Sequence, residues 1–191
     1  MLLQWIIAFL FLTPFQKGPG HDPIVTSDSL TVYVFLLDEC VISQYYTPLL
    51  NEFYDKYHSK KVGFIGYFPN FSSKPEQIEE FGTKYHIAFP LKQDYYKDWT
   101  RKFGVTVTPE VAVWDHREGK LIYRGRIDDS YVRVGKRKFH PQSADLKNSI
   151  ESWLKGQTPS DTIVTQAIGC FINFTDPLAA PQSAPYPLKG E

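Results

Sequence analysis

Residues 31–57 limit the possible folds more than any other part of the sequence. They begin with β-branched, aromatic and leucine residues at 31–37, and a short run of this kind is typical of a central strand buried on both faces. From Gln44 onward the apolar residues recur every three or four positions, a period that predicts an amphipathic helix. Cys40 therefore lies between a buried strand and a helix, at or just before the N-terminus of that helix.

Cys40 is the first candidate for chemistry in this chain. Unpaired backbone N–H groups and the helix dipole at a helix N-terminus favour a thiolate over a thiol. The carboxylates of Asp38 and Glu39, if they lie close, oppose that effect by repulsion. Ser43 follows within the same turn, where its hydroxyl either donates a hydrogen bond to the thiolate or caps the helix. Cys40 is thus either a nucleophile or a buried, unreactive apolar residue.

The composition excludes several classes of protein. The 191 residues are enough for one domain with a real core, and 21 basic residues balance 21 acidic ones. This balance gives no indication of a nucleic acid or an anionic membrane as partner. Two cysteines are too few for a disulfide scaffold and lack the spacing of zinc ligands, so we expect neither a metal nor a cofactor.

An apolar run at residues 2–12 is a candidate targeting segment. It is shorter than the roughly 20 residues that a membrane span requires. Residues 1–20 are therefore predicted to be a secretory signal peptide, and the alternatives are an uncleaved membrane anchor or a buried helix. After export, to the periplasm or beyond the cell, both cysteines would lie in an oxidising compartment.

The remaining elements alternate between strand and helix patterns. Strands are predicted at 62–68, 89–92, 110–114 and 121–126, and helices at 74–85, 94–103 and 143–154. Early strands that are joined by helices pair in parallel, whereas the turn at His116 to Gly119 joins the last two strands into an antiparallel hairpin. The predicted fold is α/β with three layers, in which helices cover both faces of a mixed central sheet. The domain would span residues 21–156, with a partly disordered C-terminal tail at 157–191.

Four short motifs occur in a fixed order along this framework. They run from Cys40 to Tyr46, then Thr108-Pro109-Glu110, then residues 124–129 (RGRIDD), and finally Gly169-Cys170. In this order the chain resembles the thioredoxin-like fold, and within it the redoxin (alkyl hydroperoxide reductase/thiol-specific antioxidant) branch, especially exported bacterial thioredoxin-family proteins. The resemblance implies a cis peptide before Pro109, beside the cysteine, with the Thr108 backbone presented to an incoming extended chain.

Two departures from that branch bear on the expected activity. The usual Cys-x-x-Cys pair is absent, because Ser43 stands where the second cysteine would be. The peroxiredoxin motif is absent as well, since Tyr33 and Leu37 replace its proline and threonine. We therefore expect thiol–disulfide exchange, and weak peroxide reduction is the alternative.

Cys170 and Arg126 complete the candidate site, each with two interpretations. Cys170 either folds back to Cys40, as a resolving or structural partner, or remains an unpaired thiol on the tail. Because the sequence does not fix which cysteines pair, both remain open, and we expect the unpaired form. Arg126 either lines a surface that binds an anion beside the cysteine or belongs to a solvated, salt-bridged strand end, which we favour.

Three functional hypotheses follow from these residues. The first is a cell-envelope oxidoreductase that acts through Cys40 on protein or small-molecule thiols and disulfides. The second is a non-catalytic module that binds a partner at Thr108 and Pro109. The third, copper handling by Cys40 and a histidine, has the least support because no second nearby cysteine is present.

Overall fold

A six-stranded mixed sheet forms the centre of the computed structural model, which describes residues 29–175. In chain order its strands are β1 (Leu30–Phe35), β2 (Val62–Phe68), β3 (Leu91–Gln93), β5 (Glu110–Asp115), β6 (Lys120–Gly125) and β9 (Ile163–Val164). The spatial order is β3-β2-β1-β5-β6-β9. The pairs β1–β2, β2–β3 and β6–β9 are parallel, whereas β1–β5 and β5–β6 are antiparallel.

Four helices and two small ribbons complete the described structure. The helices are α1 (Val41–Tyr57), α2 (Pro75–Lys84), α3 (Asp98–Phe103) and α4 (Asp145–Leu154), with a 3-10 turn at His58–Lys60. One ribbon pairs β4 (Val107–Thr108) with β10 (Cys170–Phe171), and the other pairs β7 (Tyr131–Arg133) with β8 (Lys136–Arg137).

The alternating side chains of β1 build one core on each face of the sheet. Val32 and Val34 pack in the larger core with residues of α1, α2 and α4. Tyr33 and Phe35 pack on the opposite face with Phe103 of α3. Because both faces of β1 are buried, its sequence shows a continuous apolar run rather than alternation. The predicted α/β fold, with helices on both faces of a mixed sheet, is confirmed.

The structure differs from the sequence prediction at three places. Helix α3 begins at Asp98, four residues later than the predicted start at Asp94, whereas Cys40 occupies the N-cap of α1 as predicted. Residues 131–137, for which the sequence predicted no strand, form the β7–β8 ribbon. The segment assigned to a tail contributes β9 and β10, which pair with β6 and β4. The predicted signal peptide and the last residues of the predicted tail lie outside the described residues.

Within residues 29–175, none of the helices combines the length and the apolar character that a membrane crossing requires.

Candidate active site

Cys40 and Cys170 form a disulfide bond in the folded chain. Their Cα atoms lie 6.1 Å apart, although 130 residues separate them in sequence. The expectation of an unpaired Cys170 on a flexible tail is therefore wrong. The physical reason is that β10 is held along β4, which brings its cysteine to the start of α1.

The turn before α1 fixes the position of Cys40. The N–H of Cys40 donates to the carbonyl of Leu37 (3.1 Å), and its own carbonyl accepts from Gln44 (3.0 Å). The buried hydroxyl of Ser43 accepts a hydrogen bond from the N–H of Leu37 (3.2 Å). Ser43 therefore holds the turn that precedes Cys40. The prediction that its side chain caps α1 is wrong, because the N-cap is Cys40 and no side chain caps it.

A short segment that we call the strap, residues 169–173, carries Cys170. Its strand β10 pairs antiparallel with β4, so that Cys170 lies opposite Thr108. The N–H of Ile172 donates to the carbonyl of Thr106 (3.3 Å), and the N–H of Asn173 donates to the side chain of Asn70 (3.0 Å). The Ile172 side chain is buried in the core on the α3 face. The strap is thus bound by backbone pairing and by one apolar anchor.

Thr108 and Pro109 lie beside the disulfide, and the peptide between them is cis. The carbonyl oxygen of Thr108 is 3.3 Å from Sγ of Cys40, and its hydroxyl donates to the carbonyl of Cys170 (3.4 Å). Thr108 is fully buried. The sequence predicted that this backbone receives an incoming extended chain, and in this structure the strap of the same chain occupies that position.

The two sulfur-bearing residues differ in access. Cys40 is only 1% exposed, whereas Cys170 is partly exposed. Cys170 is therefore the more accessible of the two bonded residues. Cys40, on the buried side, becomes accessible only when the strap moves.

Glu110 is a buried carboxylate behind the β4 segment. It accepts a hydrogen bond from the N–H of Thr106 (3.0 Å), and the guanidinium of Arg124 lies 3.6 Å away. Burial raises the pKa of the Glu110 carboxyl above its usual range, while these two contacts act in the opposite direction. Glu110 thereby links β5 to the segment that pairs with the strap. The sequence marked it only as part of a motif.

A second buried polar group joins α1 to the segment that follows β6. The hydroxyl of Tyr46 donates to the carboxylate of Asp128 (2.5 Å), which also accepts from the N–H of Ser130 (2.8 Å). Burial, reinforced by Asp128, raises the pKa of Tyr46, so the hydroxyl stays protonated and remains a donor. This pair fixes the helix that Cys40 precedes against the 127–130 turn. The sequence showed Tyr46 only as the last residue of the motif that begins at Cys40.

Arg126 is engaged away from the disulfide. Its guanidinium binds Asp145 at the start of α4 (2.7 Å) and reaches the hydroxyl of Ser143 (3.5 Å). The hydrogen bond with Asp145 raises the pKa of Arg126 further. These contacts match the salt-bridged strand end that the sequence favoured for Arg126, and among the described residues they do not include Cys40 or Cys170.

The described residues contain no group of three or more histidine, cysteine or acidic side chains that is arranged to hold a metal ion.

Gly169 lies against the carbonyl of Thr108, and this contact yields a prediction. In Gly169→Ala the added Cβ would lie 2.6 Å from the carbonyl carbon of Thr108 and 3.2 Å from the nitrogen of Pro109. These are backbone atoms, which cannot change rotamer to avoid the clash, so we expect the strap to be displaced. The equilibrium constant for reduction of the disulfide should then rise about tenfold. Equilibration with thiol and disulfide buffers measures this.

Gly82→Ala is the matched control, because its Cβ meets only the tip of the Leu91 side chain, at 3.1 Å. An unchanged redox equilibrium in Gly169→Ala would show that the strap tolerates a shift at this position.

Comparisons with known proteins find similar structures but no matching sequence family. No family model matches the chain, and no curated protein matches it. An uncharacterised conserved protein from Geobacillus kaustophilus is similar, with a TM-score of 0.66, 22% identity and 78% of each chain covered. A hypothetical protein from Sinorhizobium meliloti has a TM-score of 0.65 and 24% identity, over 78% of this chain and 82% of that one.

A candidate thioredoxin from Neisseria meningitidis is also similar, with a TM-score of 0.53 and 16% identity, over 70% of this chain and 79% of that one. Together with the sheet order and the helices on both faces, this likeness assigns the chain to the thioredoxin-like fold. The fold places a disulfide between the N-cap of α1 and a strand beside Thr108 and Pro109.

Proposed function

We propose that this protein is a thiol–disulfide oxidoreductase in which Cys40 and Cys170 form the redox couple. The observation that carries the proposal is the disulfide between the N-cap of α1 and the strap, beside the Thr108 carbonyl. The second cysteine of the couple thus comes from the far end of the domain rather than from the same turn of α1.

In the reduced protein Cys40 is the attacking group. Its thiolate bonds to one sulfur of a substrate disulfide, and the other substrate sulfur leaves as a thiolate. The thiolate of Cys170 then attacks Sγ of Cys40 and expels the second substrate sulfur. Two electrons pass to the substrate, which becomes a dithiol, and the protein is left with the Cys40–Cys170 disulfide.

Regeneration begins at Cys170, the more exposed of the two residues. A thiolate of an external dithiol attacks Sγ of Cys170, and Cys40 leaves as a thiolate. The leaving group is favourable because Cys40 lies at the N-terminus of a 17-residue helix, where the dipole and free N–H groups stabilise negative charge. The second thiol of the external dithiol then displaces Cys170 and carries away the new disulfide.

The proposal includes export to the cell envelope and partners that carry protein or small-molecule thiols and disulfides. Its support is the disulfide itself, since such bonds persist in oxidising compartments, together with the apolar run at residues 2–12. A partner that pairs with β4 as a plain binding module would first have to displace the strap, so the redox function is the better match to the geometry.

Equilibration of the folded protein with dithiol and disulfide buffers tests the proposal. We expect the Cys40–Cys170 bond to open and close reversibly under native conditions, with a reduction potential above about −300 mV. Mass spectrometry after thiol alkylation counts the reduced cysteines at each buffer ratio. A bond that stays closed in native protein and opens only on unfolding would identify a structural cross-link and refute the redox function.

A further inference from the structure

Positive charge is concentrated in one part of an otherwise balanced chain. Residues 131–139, which we call the basic hairpin, comprise β7, β8 and the two residues that follow. They contain four cationic side chains and no acidic one, although the whole chain has a formal net charge of zero. The cationic residues are Arg133, Lys136, Arg137 and Lys138.

Three of these cations lack acidic partners in the described part of the chain. Lys138 is paired with Asp129, and Arg137 stacks over the ring of Tyr45 at 4.5 Å. Arg133 and Lys136 are exposed and form no ion pair among residues 29–175. Their charge is therefore available to an external anion.

Exposed apolar side chains are interleaved with the cations. Val132 is 49% exposed, Val134 is 58% exposed and Phe139 is 90% exposed. Single exposed apolar residues are common on proteins, but three within eight residues are a local concentration of exposed apolar surface.

We propose that the basic hairpin binds an anionic lipid surface. Its apolar side chains would enter the boundary between headgroups and acyl chains, and Arg133 and Lys136 would lie at the level of the lipid phosphates. A folded protein is a poorer match, because a standard protein interface uses about 20–30 residues on each side and this ribbon offers nine. A membrane accepts a narrow protrusion without requiring a complementary surface.

The position of the hairpin links this surface to the helix that carries Cys40. Tyr131 packs edge-to-face on Tyr45 of α1, with ring centroids 5.4 Å apart. Binding through the hairpin would therefore hold the first turns of α1 close to the membrane surface. The inference does not depend on the redox proposal, because lipid binding is measured without any thiol reaction.

Vesicle co-sedimentation of the full chain tests the inference, with phosphatidylglycerol-containing vesicles compared with purely phosphatidylcholine ones. Any contribution of the apolar residues 2–12 is common to both lipids, so the ratio of the two partition coefficients reports the hairpin. We expect the ratio to favour the anionic vesicles and to fall with added salt. The double variant Arg133→Glu and Lys136→Glu should lower binding to anionic vesicles at least about 30-fold.

The matched control is Lys60→Glu with Lys155→Glu, two exposed cations elsewhere that change the net charge equally. Phe139→Ser should also weaken binding, whereas Tyr96→Ser, at an exposed aromatic outside the hairpin, should not. Equal loss in the hairpin and control variants would overturn the inference, since binding would then follow net charge alone. Absence of any preference for anionic vesicles, or binding of the hairpin only to an acidic polypeptide such as polyglutamate, would overturn it as well.

Discussion

Cys170→Ser should convert the protein into a trap that stops at a mixed disulfide through Cys40. In this variant the thiolate of Cys40 still attacks a substrate disulfide, but no intramolecular thiol expels the second substrate sulfur. In the wild-type protein the Cys170 thiol acts at an effective concentration of about 1 mM or more. An external thiol at about 10 µM would have to replace it, so turnover should fall about 100-fold. Reduction of a small disulfide such as glutathione disulfide, followed by mass spectrometry, measures both turnover and adduct.

Cys40→Ser separates this mechanism from the alternatives. It should form neither an adduct nor turnover, because Cys170 lies on a strand and has no helix N-terminus to stabilise its thiolate. If Cys170→Ser turned over at the wild-type rate, Cys170 would not be the resolving thiol. If Cys40→Ser formed the adduct instead, the roles of the two cysteines would be reversed.

Reduction of the disulfide should lower the free energy of unfolding by about 2–5 kcal/mol. The bond closes a loop between residues 130 positions apart, and a cross-link of that length removes much conformational freedom from the unfolded chain. Denaturation by urea, with and without a reductant, measures the difference through the transition midpoint at constant slope.

The double variant Cys40→Ser and Cys170→Ser is the control for direct effects of the reductant. Its midpoint should be low and should not respond to the reductant. An unchanged midpoint in the reduced wild-type protein would mean that contacts of the strap, such as burial of Ile172, hold the ends together without the bond.

Local patterns in the sequence predicted most of the fold. Strand β2 has the predicted bounds, Val62–Phe68, because its apolar run ends at clear turn signals. The hairpin of β5 and β6 matches the prediction to within about one residue at each end, since a polar turn separates two strong strand patterns. Such features depend on neighbouring residues alone.

Features set by long-range contacts were beyond the sequence. Strand β10 has two residues and no measurable period, so only its pairing with β4 reveals it. The disulfide follows from that pairing, and cysteine spacing cannot specify it. The prediction for Arg126 came from the basic and acidic residues at 124–129. That pattern does not show that the partner of Arg126 is Asp145, at the start of α4. The charge of residues 131–138 likewise obscured the short strands β7 and β8.

The bond between Cys40 and Cys170 makes a covalent ring that contains all four helices of the described chain. A single protease cut within that ring, for instance at the exposed Gly135, would leave the two fragments joined through sulfur. The same cut in the reduced protein would leave only non-covalent packing between β1 to β7 and the elements that follow. Loss of this one bond would therefore allow a nicked chain to separate into two fragments.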